Sequence, residues 1–372
     1  MLLGSNSIGK EFIVTCFGES HGRCVGVVID GCPAGLPLSV EDIQKELDKR
    51  LPQNLEIVSA RREEDTVELL SGIYEGFTTG APICVLVWNK EVVSDSYEAI
   101  RHTPRPGHSD YPARIKYLGF NDNRGGGRFS GRLTVAYIMA GAIAKKLLQL
   151  ASVEILAYTS EIGGVKIPKV PSVEDVREKT YESSVRCPNL TASKKMETAI
   201  LKAKSEGDSI GGIVECCALN VLPGVGAPLY DSLDADLAKT LFGIPAVKGV
   251  EFGVGFEAAR LKGSENNDSY MMVDGEVKTT TNNSGGVVGG MSSGMPIVLR
   301  VAIKPTPSIA KEQKTVDLLE MTNTTINVKG RHDACIVPKA VPVVESAVAL
   351  VLIDHMLRDG LIPKVLEVKA TN

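Results

Sequence analysis

Three of the five histidines stand in loops dense with glycine, arginine and acidic residues. The loops are Gly18-Glu19-Ser20-His21-Gly22, Arg105-Pro106-Gly107-His108-Ser109-Asp110 and Gly330-Arg331-His332-Asp333. Imidazole exchanges protons near neutral pH, so such loops suit acid–base work. One of them alone would more often be a solvated loop; three together point to a polar site. A fourth segment, RGGGRFSGR (124–132), sets Arg124, Arg128 and Arg132 around three glycines. Glycine lets backbone approach a ligand closely, and arginine offers forked donors to phosphate and carboxylate. An apolar helical pattern follows directly, and its first amides are a further place for an anion. Alone, the segment fits an ordinary Gly-rich turn equally well. With Arg50, Arg61, Arg62, Arg105 and Arg331 also flanking turns, an acidic small molecule is the favoured substrate class.

Other patterns carry less. Gly18-x-Ser20-x-Gly22 has the spacing of a serine nucleophile elbow, which needs a helix after the turn. Here the strand-like RCVGVVID follows, and the Gly-rich segment comes about a hundred residues later rather than earlier. GSNSIGK (4–10) matches a phosphate-binding loop until Glu11, where Ser or Thr is required for magnesium. The histidines show no H-x-x-x-H spacing and no zinc-like pairing with cysteine. His355 falls in an apolar helix and reads as structural. NNSGGVVGGMSSGMP (282–296), followed by KPTPS (304–308), lacks the order of a dinucleotide fold. It fits a backbone nest against a phosphate-bearing cofactor and a mobile turn between strands about equally.

Helices must carry these loops. Ser39 caps a helix with an acid at the third position, and Val40, Ile43 and Leu47 share one face up to Pro52. Further helices are expected near 133–150, 191–205, 233–242 and 341–358, with strands near 11–17, 24–30, 83–88, 211–219 and 296–303. Segments 162–190 and 262–286 read as loops. The chain also echoes itself. Gly18 and Gly207 each open glycine, acid, Ser, x, Gly, then an apolar strand, a Pro/Gly turn and an amphipathic helix. TGAPICVLVWNK (79–90) resembles SGMPIVLRVAIK (293–304). A duplication is expected, giving one domain of two pseudo-repeated halves, about 1–190 and 191–372, in a pseudo-symmetric α+β body.

The 372 residues, 43% hydrophobic and 23% charged, suit a globular chain with a sizeable core. A net charge of −4 and only 5% aromatic residues argue against a nucleic-acid surface. The longest apolar stretch, 133–144, is shorter than a membrane span. The N-terminal residues lack the apolar run of a secretory signal, and eight cysteines form no C-x-x-C pair, so reduced thiols in the cytoplasm are expected.

Together, FGESHG (17–22), RPGHSDY (105–111), RGGGRFSGR, GDSIGG (207–212), AVKGVEFG (246–253), GGMSSG (289–294), KPTPS and GRHDAC (330–335) closely resemble chorismate synthase. They stand in that family's order and span roughly residues 4–358. The resemblance implies a β-α-β sandwich with helices between antiparallel sheets and internally duplicated halves, assembled as a homotetramer. It implies conversion of 5-enolpyruvylshikimate 3-phosphate to chorismate and phosphate, the last step of the shikimate pathway. The reaction is a 1,4-anti elimination that depends on reduced FMN without net redox change. On this resemblance His108 would protonate the departing phosphate, and His21 would protonate or hold the reduced flavin. Asp333, with Ser20 and Ser130, would relay a proton. Arg50, Arg105, Arg132 and Arg331 would clamp the substrate. Arg128, Phe129, Ser130, Pro245, Ala246, Gly289, Lys304, Pro305, Thr306, Pro307, Ser308 and Arg331 match the family's FMN contacts.

The chain departs from the family pattern in places. Lys49-Arg50-Leu51-Pro52-Gln53 stands for Arg-Arg-Arg-Pro-Gly, and Glu56 falls where several members carry a basic residue assigned to NADP. That charge argues against NADPH binding, which would matter only if the chain reduced its own flavin. Ser130-Gly131-Arg132-Leu133 stands for Ser-Ala-Arg-Glu, and Ala334 for a proline. None of these removes a proposed acid, base or arginine clamp.

Overall fold

A computed structural model describes residues 4–51, 54, 65–90, 101–328 and 332–367. In the first sheet, β1 (Ser7–Ile8), β2 (Ile13–Gly18), β3 (Cys24–Asp30), β4 (Val67–Leu69) and β5 (Ile83–Trp88) pair antiparallel, with β3 between β2 and β5 and β4 outside β5. The second sheet holds β6 (Glu154–Ile162), β7 (Val165–Lys166), β8 (Gly212–Leu219), β9 (Val247–Phe252) and β10 (Ile297–Ile303). There β8 lies between β6 and β10, and β9 lies outside β10. Strand alternation sets the faces: Val25, Val27 and Ile29 of β3 and Val214, Cys216 and Ala218 of β8 are buried.

Between the sheets lie α1 (Val40–Asp48), α2 (Thr134–Gln149), α4 (Leu233–Phe242) and α5 (Val337–Arg358), while α3 (Leu190–Ser205) packs near β6 and β7. The result is the expected α+β sandwich. Helices α2 and α5 are mostly apolar on every face, and most of their residues are buried, 12 of 16 in α2 and 20 of 22 in α5. Although α5 is long and apolar enough to cross a membrane, its apolar window is wholly buried, as in a core helix. The two helices cross at Gly141, where a Cβ would stand 2.3 Å from the Ser346 Cβ. Across the same contact Lys145 of α2 joins Glu46 (2.8 Å) and Glu345 of α5 (2.6 Å).

The expected capping box forms, with Ser39 Oγ accepting from Asp42 N and Asp42 accepting from Ser39 N. Two segments read as loops hold more: a helix at Val173–Lys179 within 162–190, and a hairpin at Tyr270–Val273 and Glu276–Thr279 within 262–286. Strand β6 was not expected; its EILAYTSEI mixes apolar and polar residues without clean alternation, and pairing with β8 makes it a strand. Helix α5 begins at Val337 rather than 341, because Pro338 sits in the first turn, where no amide donor is needed. All eight cysteines are free thiols.

Candidate active site

A cleft of about 630 Å³ opens where the loops before α2 and α5 meet the segments after α1, α4 and β10. Arg50, Arg105, Arg128, Arg132, Lys248, Lys304 and Lys339 line it, against the carboxylates of Asp48, Asp65 and Asp333. Positive charge therefore dominates the walls, which suits a ligand bearing phosphate or carboxylate.

The RGGGR loop forms part of its wall. Gly125, Gly126 and Gly127 all have positive φ, which glycine adopts without strain. A Cβ on Gly125 would stand 2.0 Å from His21 Nδ1 and 2.8 Å from Ser20 Oγ, and one on Gly126 would stand 3.3 Å from His108 Nε2. Two of the three histidine loops thus flank the same bare backbone. Ser20 N donates to Gly127 O (3.2 Å), while Ser130 caps the short turn before α2 by accepting from Arg132 N (3.3 Å).

His108 is held by Asp110 and by Arg105, whose Nη2 lies 3.1 Å from Nδ1 and 3.3 Å from Nε2. Its Nδ1 lies 2.6 Å from Asp110 Oδ1, and Arg105 grips the same carboxylate through Nε (2.7 Å) and Nη2 (2.8 Å). Burial would raise the Asp110 carboxyl, but hydrogen bonds and charge from Arg105 and His108 outweigh it and hold it well below the usual range. Arg105 also donates through Nη1 to Ser308 Oγ (3.0 Å), tying RPGHSDY to KPTPS. In that second segment Lys304 donates to the Gly107 carbonyl. Burial, then the charge of Lys248, lowers the Lys304 ammonium. Thr306 Oγ1 donates to Asp333 O (3.0 Å), and Lys339 Nζ donates to Asp333 Oδ2 (2.6 Å).

The other arginines share acceptors. Arg132 donates to Asp65 Oδ1 (2.5 Å), Arg50 lies 3.6 Å from Asp65 Oδ2, and Arg50 donates to Gly131 O (3.3 Å). Arg128 bonds Asn6 and Tyr117 and stacks near Phe129.

Of the residues singled out from sequence, Ser20, Arg50, Arg105, His108, Arg128, Phe129, Ser130, Arg132, Pro245, Ala246, Lys304, Thr306, Pro307, Ser308 and Asp333 line the cleft. His21 is buried just behind the wall, against Gly125. Pro305 does not line it. Gly289 stands in a turn whose neighbour Gly290 accepts from Leu233 N, at the opposite end of α4 from Pro245. The structure does not bring Gly289 to the cleft. Arg331, Arg61, Arg62 and Glu56 lie outside the described residues. His355 is buried and bonded to Asp236 (3.0 Å), as a structural residue would be.

Sequence reasoning assigned no role to Asp65, Asp110 or Arg186. Asp110 had a local signal, two residues after His108. Asp65 had none, because only folding brings it to Arg50 and Arg132. Buried Arg186 donates through Nη2 to the carbonyls of Lys49 and Leu51, both at 2.9 Å, fixing the backbone on either side of Arg50.

With that geometry in hand, the comparisons agree. A family model described as chorismate synthase matches residues 12–357. Chorismate synthase of Dehalococcoides mccartyi strain 195 is 54% identical over 363 residues, covering 98% of this chain and 100% of that protein. The Korarchaeum cryptofilum enzyme of the same name is 54% identical over 356 residues, covering 96% and 98%. A crystal structure titled chorismate synthase superposes with a TM-score of 0.75 at 31% identity, covering 95% of this chain and 93% of that one.

Proposed function

The chain belongs to the chorismate synthase family, a family of carbon–oxygen lyases, and we propose that it eliminates phosphate from 5-enolpyruvylshikimate 3-phosphate to give chorismate. The observation that carries this reading is the convergence of the His21, His108 and Asp333 loops on one cationic cleft. The volume and charge of that cleft fit a phosphate-bearing flavin beside an anionic substrate. Reduced FMN, when bound, supplies transient electron density that eases loss of phosphate and of the C6 hydrogen.

The protein orients, excludes water and moves protons. Arg50 and Arg132 bind substrate anions, and Asp65 keeps the two guanidinium groups together beforehand. Asp110 fixes His108 through Nδ1, and Nε2, on the Gly126 side and 3.3 Å from Arg105 Nη2, is the nitrogen that protonates the departing phosphate. His21, behind Gly125, holds a proton at the flavin, and Asp333 with Ser20 and Ser130 relays one away. Arg128, Phe129, Pro245, Ala246 and Lys304 to Ser308 hold the cofactor; Gly289 and Arg331 carry over from the family alone. We further read the enzyme as a cytoplasmic homotetramer that does not reduce its own flavin, on the charge of Glu56.

An anaerobic assay with FMN, dithionite and 5-enolpyruvylshikimate 3-phosphate tests the reading. Chorismate should form; none forming with flavin demonstrably bound would overturn it. Turnover with oxidised FMN and NADPH alone would overturn the statement about flavin reduction.

A further inference from the structure

One amide side chain touches both halves of the proposed machinery. Asn89 follows β5 directly, and its Nδ2 donates to Glu19 O (3.1 Å) and Gly22 O (2.8 Å), the carbonyls that bracket Ser20 and His21. Its Oδ1 accepts from Arg132 Nε (3.1 Å), and its backbone amide donates to Arg23 O (3.0 Å). The orientation of the amide is fixed by its partners. Two carbonyls require donors and a guanidinium requires an acceptor, so the flipped amide would face like with like at all three contacts. Histidine and arginine are each almost fully buried, and neither contact is set by local sequence.

We infer that Asn89 is a positioning residue, a joint that sets the His21 turn and the Arg132 guanidinium in fixed relation to one another. The inference rests on the roles proposed above for His21 and Arg132. It is sharpened by the internal echo. In TGAPICVLVWNK and SGMPIVLRVAIK, Asn89 aligns with Ile303, and in the paired turns His21 aligns with Ile210. Where the histidine is absent the amide is absent too, and Ile303 is simply buried.

Asn89→Asp separates the two duties. The carboxylate still accepts from Arg132, but it turns acceptors toward two carbonyls and releases the His21 turn. The expected result is an anaerobic kcat lowered on the order of 10²-fold, the scale of a misplaced catalytic group, with KM within about twofold of the parent. Adding His21→Ala should cost nothing more, since coupled residues lose the same effect once. Asn89→Ala loses both contacts and should also raise KM, by as much as Arg132→Met raises it. Because KM does not depend on the fraction of folded enzyme, a merely structural role would leave it unmoved. Parent-like turnover in Asn89→Asp, or losses that multiply with His21→Ala, would overturn the joint. If His21→Ala itself turned over normally, the proposed role of His21 would fall. The joint would then stand or fall on whether Asn89→Ala reproduces the KM of Arg132→Met.

Discussion

In the first half of the sandwich, the Gly18–Gly22 turn is tied by Ser20 N to Gly127 O, on the loop leading into α2; in the second, the Gly207–Gly211 turn is tied one position later, by Ile210 N to Ala334 O (2.8 Å), on the loop leading into α5. The correspondence extends outward. Strands β2, β3, β5 and β4 neighbour one another as β6, β8, β10 and β9 do, and each set is completed by a short helix and a long apolar one. We propose that these are copies of one unit with the seam between Gln149 and Glu154, since β6 pairs with β8. The turns differ in what they carry. His21 and Asn89 equip the first, whereas Asp208 of the second is spent on an ion pair with Lys311 (2.8 Å) and Ser209 Oγ on the carbonyl of Thr306 (2.7 Å). One scaffold serves twice, and the chemistry of a turn depends on a few side chains placed on it.

That contrast can be broken first at His108. His108→Ala should lower anaerobic turnover by roughly 10²–10⁴-fold, as loss of a general acid does, with flavin binding intact. Near-parent turnover would remove its role. Gly125→Ala comes next, because the added methyl meets His21 at a positive φ; turnover should fall roughly tenfold or more with the chain still folded. Equal activity would mean that the RGGGR backbone does not govern His21.

A smaller effect concerns the contact between halves. Burial would raise the Glu46 carboxyl, but Lys145 and then Lys49 outweigh it and pull it down to about 2. A carboxyl depressed on folding stabilises above its unfolded value and loses that contribution as pH falls toward the folded one. Melting temperatures should therefore decline between about pH 4.5 and 2, and Glu46→Gln should flatten that decline. An unchanged acid limb would count against the Glu46–Lys145 pair as a support for the Lys145–Glu345 contact between halves. The smallest effect belongs to the second turn: Asp208→Asn should leave both turnover and melting unchanged, since its partner is exposed. A loss of turnover there would end the distinction between the turns.

Much of this was legible in the sequence because it was local. The Ser39 cap, the apolar runs of α2 and α5 and the glycine clusters each declare themselves within a few residues. The sandwich layering came from the resemblance, and the pseudo-symmetric α+β body from the echo along the chain. Contacts made only by folding were not legible. Asp65 reaches Arg132 across 67 positions of sequence, and Asn89 reaches Glu19 across 70. Gly289 lies away from the cleft for the converse reason: a glycine in a matching motif says nothing of which end of α4 it will occupy.

The missing side chain at Gly141 acts as a gauge for the whole molecule. Thr134 lies seven residues before it and Val337 nine before Ser346, so the cleft loops hang on arms of about 10 and 13 Å beyond the crossing. A single methyl group there would meet the Ser346 Cβ at 2.3 Å, so α2 and α5 would have to part at the crossing. The span between the two walls of the cleft is thus calibrated deep in the core, by an atom that is not there.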